Sequence, residues 1–290
     1  MDKKVLMTIL AISSLILILV FLSLISVYRA ASPGSIMSKD EIGVLEIKGI
    51  IMDSDDVLKK IKDLKDRDSV KAVVVRIDSP GGGISAAQEI YHELKNLDKI
   101  KPVIASFSSV AASGGYYVAL GARTIFANEG SLTGSIGVIM QLANLERLYQ
   151  FIKISPITIK SGKFKDIGNA ARPMTLEEKA LLQRLSDDMH AQFKAAVSME
   201  RKLPISIVNS FADGRVFSGL EAQQLKLVDT IGTFNDAVQY AVKLSKANEK
   251  AELYYPDEEE NSILREIFSS AKTFMNKTAL EAENPMPRTM

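Results

Sequence analysis

Residues 70–78 read VKAVVVRID. Side chains alternate between faces along a strand, so a run with Val73, Val74 and Val75 in succession is apolar on both sides. Such a strand belongs inside a sheet that is covered on both faces, which is the habit of parallel sheets with helical crossovers. The flanking chain supplies the other parts. IGVLEIKGII (42–51) alternates as a strand. The next segment sets Val57, Leu58, Ile61 and Leu64 on one helical face, with Ser54 or Asp55 as cap. ISAAQEIYHELKNL then aligns Ile84, Ala87, Ile90, Tyr91, Leu94 and Leu97, and KPVIASFS reads as another strand. This strand–helix–strand–helix–strand order predicts an α/β fold with a parallel-sheet core and flanking helices. SPITIK (155–160) reads as a further strand, and a long helix follows, capped at Thr175.

The N-terminus imposes a second constraint. Val5 to Val27 is an uncharged, largely apolar run. As a helix, 23 residues span about 34 Å, enough for a bilayer core of about 30 Å. A cleaved signal peptide is the rival reading. The run is long for a signal peptide core, and Tyr28 and Arg29 spoil the small-residue cleavage pattern. The expected organisation is a cytosolic N-terminus and transmembrane anchor over 1–30, a linker over 31–41, one main domain over 42–255 and a tail over 256–290. Lys3 and Lys4 precede the run and Arg29 follows it, so the charge bias places the main domain outside the cytosol.

Composition excludes several classes. The chain has no cysteine, so disulfides, thiol catalysis and thiolate metal sites are absent. A net charge of +1 gives no footprint for nucleic acid. At 47% hydrophobic and 24% charged residues, it can build a sizeable core.

Three segments carry candidate chemistry. DSPGGG (78–83) follows a buried strand and precedes a helix. Its glycines let backbone amides approach a ligand closely, although an ordinary strand-to-helix turn looks the same. It matches neither common phosphate-loop pattern. In AASGGYYVALGAR (111–123), Ser113 stands where a short apolar helix begins. It serves there either as a helix cap or as a nucleophile favoured by free amides. A nucleophilic serine needs a base. His92 and His190, the two histidines, read as surface residues on helices, which disfavours a Ser-His-Asp triad. A Ser-Lys pair remains. IKSGKFKDIG offers Lys160, Lys163 and Lys165, of which at least two read as solvated loop residues.

DSPGGG, AASGGYY, TGSIGV and SGKFKD, in this order and spacing, closely resemble the signal peptide peptidase A family of bacterial serine proteases in its short, membrane-anchored form. The resemblance runs from about residue 40 to about 250 and includes ADGRVFSGLEAQQLKLVD. It implies a Clp-protease/crotonase-like fold with Ser113 as nucleophile and Lys165 as general base. It further implies Ser135 as the residue orienting the lysine, and Gly82 and Gly114 as oxyanion-hole donors. Lys163 stands where the family varies. No cofactor and no metal are implied. The implied partners are peptide substrates such as remnant signal peptides, the bacterial cytoplasmic membrane, and further copies of the chain in a ring whose neighbours share each serine–lysine site. Two rival functions are a crotonase-type acyl-CoA enzyme, against which the anchor argues, and a catalytically inactive membrane scaffold.

Overall fold

The computed structural model describes residues 17–21 and 40–256. The chain divides into two units at residue 39. In the first, residues 17–21 are helical; the rest of the expected anchor, Val5 to Val27, lies outside the described residues, as does the expected tail after residue 256. Among the described residues no helix is long and apolar enough to cross a membrane.

In the second unit the expected alternation is present. Strand β1 (Glu41–Ile51) leads into helix α1 (Asp55–Asp66), β2 (Val70–Gly82), α2 (Ile84–Asp98), β3 (Val103–Ala112) and the short α3 (Gly114–Ala119). Next come β4 (Thr124–Ala127), β5 (Leu132–Gly134), α4 (Glu146–Phe151) and the long α5 (Leu176–Glu200). The order closes with α6 (Ile205–Phe211), β6 (Val216–Ser218), α7 (Gly219–Gln224), β7 (Thr230–Ile231), α8 (Phe234–Ser245) and β8 (Glu252–Tyr254). The sheet runs β6-β5-β3-β2-β1-β8, with β4 beside β3 and β7 beside β4. Every pairing is parallel except β5 with β6.

The valine run does what its pattern demands. Val73, Val75 and Ile77 pack into a core shared with α1, α2 and α3. Ala72 and Val74 face the opposite way, against Ala237 and Ala241 of α8. Each buried valine contributes roughly 1.5–3 kcal/mol relative to exposure, so the strand at the centre of the sheet is a principal source of stability.

Two local expectations need correction and a third is met. Ser54 precedes α1 but makes no capping bond; its hydroxyl donates to the Glu89 carboxylate. Thr175 does cap α5, in a reciprocal box with Glu178. SPITIK is not a strand. It alternates correctly, yet no neighbouring strand offers it a ladder among the described residues, and Ile157 and Ile159 stand 88% and 96% exposed.

The sheet forks at β3. Ile104 to Ser106 pair with β4, whereas Val110 to Ala112 pair with β5. At the fork the Asp78 carboxylate accepts the Val110 amide at 3.1 Å, and the register of β2 against β3 slips between Ile77 and Ser79. The carboxyl ends of β2, β3 and β5 thereby converge. In open α/β sheets ligands bind at such carboxyl edges.

Candidate active site

Each of the three converging strands ends in a residue singled out by sequence. Gly82 ends β2, Ser113 follows β3, and Ser135 follows β5. The Ser113 amide donates to the Gly134 carbonyl at 2.9 Å, which fastens the first serine to the turn that carries the second. The Ser135 amide donates to the Arg215 carbonyl at 2.8 Å. All four of Gly82, Ser113, Gly114 and Ser135 line one cleft of about 740 Å³.

Ser113 adopts φ 52°, ψ −120°. A serine pays a conformational penalty there, of order 1–3 kcal/mol, that the surrounding structure must sustain. The hydroxyl makes no capping bond to α3 and has no hydrogen-bond partner among the described residues. Of the two readings left open by sequence, the capping serine is therefore not realised. The sharp turn leaves the side chain half-buried at the cleft, while all of Gly114 to Ala119 behind it is buried. Ser135 is strained in the same sense, with φ 49°.

The glycines are required by close approach. A Cβ on Gly82 would stand 2.1 Å from the Ile51 carbonyl oxygen, where no relaxation of a side chain can help. Gly81 has φ +100°, and a Cβ there would lie 2.6 Å from the Gly114 nitrogen. A Cβ on Gly114 would lie 3.2 Å from the Gly82 nitrogen. The two backbone turns thus press together beside Ser113. As the first residue of α3, Gly114 has an amide with no partner within the helix.

Helix α5 forms the opposite wall. Phe193 packs on Tyr117 with ring centroids 4.7 Å apart, giving an apolar floor. Burial pushes the Tyr117 phenol up. His190, expected at the surface, is half-buried and lines the cleft. Its Nε2–H donates to the Ile136 carbonyl at 3.2 Å, so it braces the segment after Ser135. The signal was its place on the edge of the apolar stripe of α5. At the rim the Arg215 guanidinium holds the Asp213 carboxyl down at about 2. Among the described residues no cluster of three or more His, Asp or Glu has a metal-holding arrangement.

The lysines lie elsewhere. None of Lys160, Lys163 and Lys165 lines the cleft. Lys160 pairs with Asp166, and Lys163 pairs with Glu177. The Lys165 ammonium has no partner among the described residues, and the residue is exposed. It rides on a series of turns over 161–168, preceded by a segment with no buried face. In that segment Ile139 and Phe151 are 87% and 84% exposed, and α4 buries no residue at all.

A family model and several relatives agree on one kind. Residues 95–248 match peptidase family S49. A protein of Synechocystis sp. whose name provisionally calls it a protease is 43% identical over 215 residues, covering 73% of this chain and 77% of that one. The chloroplastic serine protease SPPA of Arabidopsis thaliana is 35% identical over 234 residues, covering 79% of this chain and 35% of its own length. An Enterococcus faecium protein provisionally named signal peptide peptidase SppA is 31% identical over 235 residues, covering 76% and 68%. Among solved structures, a serine-to-alanine variant of the 1510-N membrane-bound stomatin-specific protease superposes with a TM-score of 0.50 at 18% identity. It covers 75% of this chain and 97% of its own, and supports the fold alone.

Proposed function

Because the chain belongs to peptidase family S49, as an SppA-type serine protease, we propose that it hydrolyses apolar peptides by a Ser113/Lys165 dyad assembled between neighbouring copies. The observation that carries this reading is the state of Ser113. Its hydroxyl is uncommitted, its backbone is strained, and it sits in a cleft beside the tightly apposed Gly82 and Gly114.

The chemistry follows from what each group can do. Neutral Lys165 accepts the Ser113 proton, and Ser113 Oγ attacks the peptide carbonyl carbon. The amides of Gly82 and Gly114 hold the oxyanion, a donor of this kind being worth about 3–4 kcal/mol. Protonated Lys165 returns the proton to the departing amine as the C–N bond breaks. Water, deprotonated by Lys165, then cleaves the acyl ester and regenerates Ser113. Ser135 orients the lysine amine. A lysine is a poor base at neutral pH unless an apolar surrounding disfavours its charge. In the single chain Lys165 is exposed, so that surrounding has to come from another subunit.

The apolar segment over 139–159 supports such an assembly. Ile139, Phe151, Ile157 and Ile159 are each more than four-fifths exposed, and a surface of this kind is normally covered by a partner. A ring of identical chains would cover it and bring each Lys165 to a neighbour's Ser113. The first 30 residues are proposed to anchor the chain in the cytoplasmic membrane, with the catalytic unit on the outer side. A membrane anchor would keep the chain near lipid-bound peptides, so cleaved signal peptides are the proposed substrates, and the Tyr117–Phe193 floor suits their apolar side chains. The test is a fluorophosphonate probe on the detergent-solubilised full chain. Labelling should map to Ser113 and vanish in Ser113→Ala. A protein that stays unlabelled while folded and assembled would be a scaffold and not an enzyme.

A further inference from the structure

The turn that carries Lys165 is held by a cluster of charges that the dyad chemistry does not itself use. Arg172 lies between two carboxylates. Its Nη1 and Nη2 donate to Glu178 Oε2 and Oε1 at 2.9 and 2.6 Å. Its Nε donates to Asp166 Oδ2 at 3.0 Å, and Nη2 reaches the Asp166 carbonyl at 3.3 Å. Glu178 is 3% exposed and also accepts the Thr175 amide, as part of the box that starts α5. On the other side of Asp166 stands the Lys160 ammonium, which also donates to the Lys163 carbonyl at 3.0 Å. Hydrogen bonds from Arg172 hold both carboxyls below their usual range, Glu178 at about 2.

The arrangement differs from an ordinary surface ion pair, which holds little in place. One partner is a buried carboxylate, and the planar guanidinium grips it with two parallel bonds, a geometry that a single ammonium cannot reproduce. Asp166 is the residue next to Lys165 in the chain. Its side chain and its carbonyl are both bonded to Arg172, so the backbone from which Lys165 projects is tied at the next residue. The Lys165 side chain itself touches no anchoring group among the described residues. The backbone point from which it reaches into an assembled site is therefore set by what holds Asp166.

We propose that Arg172 is a positioning residue: by bracing Asp166 against Glu178 it ties the Lys165 turn to the start of α5 and fixes where the lysine amine stands when it meets Ser113. The proposal rests on the Ser113/Lys165 reading. Its energetic sense is that misplacing a reacting group by about 1 Å can cost on the order of 100-fold in rate.

The test compares variants of the full chain in detergent, with a fluorogenic apolar peptide. Arg172→Ala should lower kcat roughly 30- to 100-fold with KM within about twofold, the pattern of a lost transition-state alignment. The acid limb of its pH–rate profile should move up by about one unit, because a loosely held amine meets more water and keeps its proton longer. Arg172→Lys should not restore the rate, since one ammonium cannot bridge both carboxylates. Asp166→Asn leaves the Arg172–Glu178 pair intact and should shift kcat and the pH limb in the same direction by less. It decides the question if Arg172→Ala fails to assemble. The proposal is overturned if Arg172→Ala and Asp166→Asn keep kcat within twofold and leave the pH limb unmoved while Lys165→Ala is inactive. A fall in kcat that follows a lower melting temperature, with the limb unmoved, would make Arg172 a stability residue and overturn it equally. An active Lys165→Ala protein would instead remove the dyad, and the role of Arg172 with it.

Discussion

The surroundings of Ser113 and of Lys165 are opposites. Ser113 follows a central strand, flanked by buried Ala112 and Gly114 and pressed against Gly81 and Gly82 so tightly that no Cβ fits. Lys165 lies beyond a segment whose large apolar residues face outward, on turns that carry ion pairs of Lys160, Lys163 and Arg172. One half of the proposed site is gathered in a single cleft of the chain. The other half has the form of a surface waiting to be covered. On the proposed mechanism the contrast teaches that preorganisation would be divided, with the oxyanion side built by folding and the base delivered by assembly.

The largest expected effects come from removing either half. Ser113→Ala and Lys165→Ala should each reduce peptide hydrolysis by at least about 10⁴-fold, and the double variant should be no worse than either, because the two residues act as a unit. Steady-state kinetics on the three proteins checks this; additive losses would mean that the two regions work separately. Next comes the covering of the exposed segment. Phe151→Asp should leave the fold intact by circular dichroism yet lower activity by roughly 100-fold or more as the assembly dissociates, since a charge placed in a buried apolar contact is poorly tolerated. Size-exclusion chromatography with light scattering reads the second part. An assembly of unchanged mass would show that this face is not the contact.

A smaller effect is expected at the junction between the two halves. Ser135→Ala removes one orienting hydroxyl and should cost roughly 10- to 100-fold in kcat with little change in melting temperature, in line with the loss of one hydrogen bond in a reacting site. A parallel loss of stability would make Ser135 a structural residue of its strained turn. The smallest effect is expected from Lys163→Ala, which breaks an exposed pair with Glu177 and a cation–π contact with Phe164. Its activity should stay within about twofold of the parent, as exposed ion pairs contribute 0–1 kcal/mol. An inactive Lys163→Ala beside an active Lys165→Ala would transfer the role of base to Lys163.

How far the sequence was legible follows the same division. The central strands and α1, α2 and α5 declare themselves because burial writes a period into the chain. Val73 to Val75 must be covered on two faces, and Ile90, Leu94 and Leu97 share one. Ser113 and Gly82 were legible as a serine and a glycine set at strand ends, although the length of β2, which continues through Gly82, was not. SPITIK misled for a physical reason. Alternation reports which side chains want cover, not whether a paired strand provides it, and Ile157 and Ile159 find none among the described residues. His190 was misjudged because a residue at the edge of a helical stripe is placed by the neighbouring segment, here the Ile136 carbonyl. The Arg172 clamp was invisible for a similar reason. Arg172 and Asp166 lie in irregular chain, where no period tells which charges will meet.

The division of the site between copies is the central claim, and mixing tests it most directly. Ser113→Ala and Lys165→Ala proteins are each inactive on this account, but each carries the half that the other lacks. Unfolded together in equal amounts and reassembled, they should regain about a quarter of the parent activity, since a random ring joins an intact serine to a neighbour's intact lysine at one interface in four. Activity that stays at the level of the single variants, in mixed assemblies shown by mass to contain both chains, would contradict the account and place both residues of the dyad in one chain.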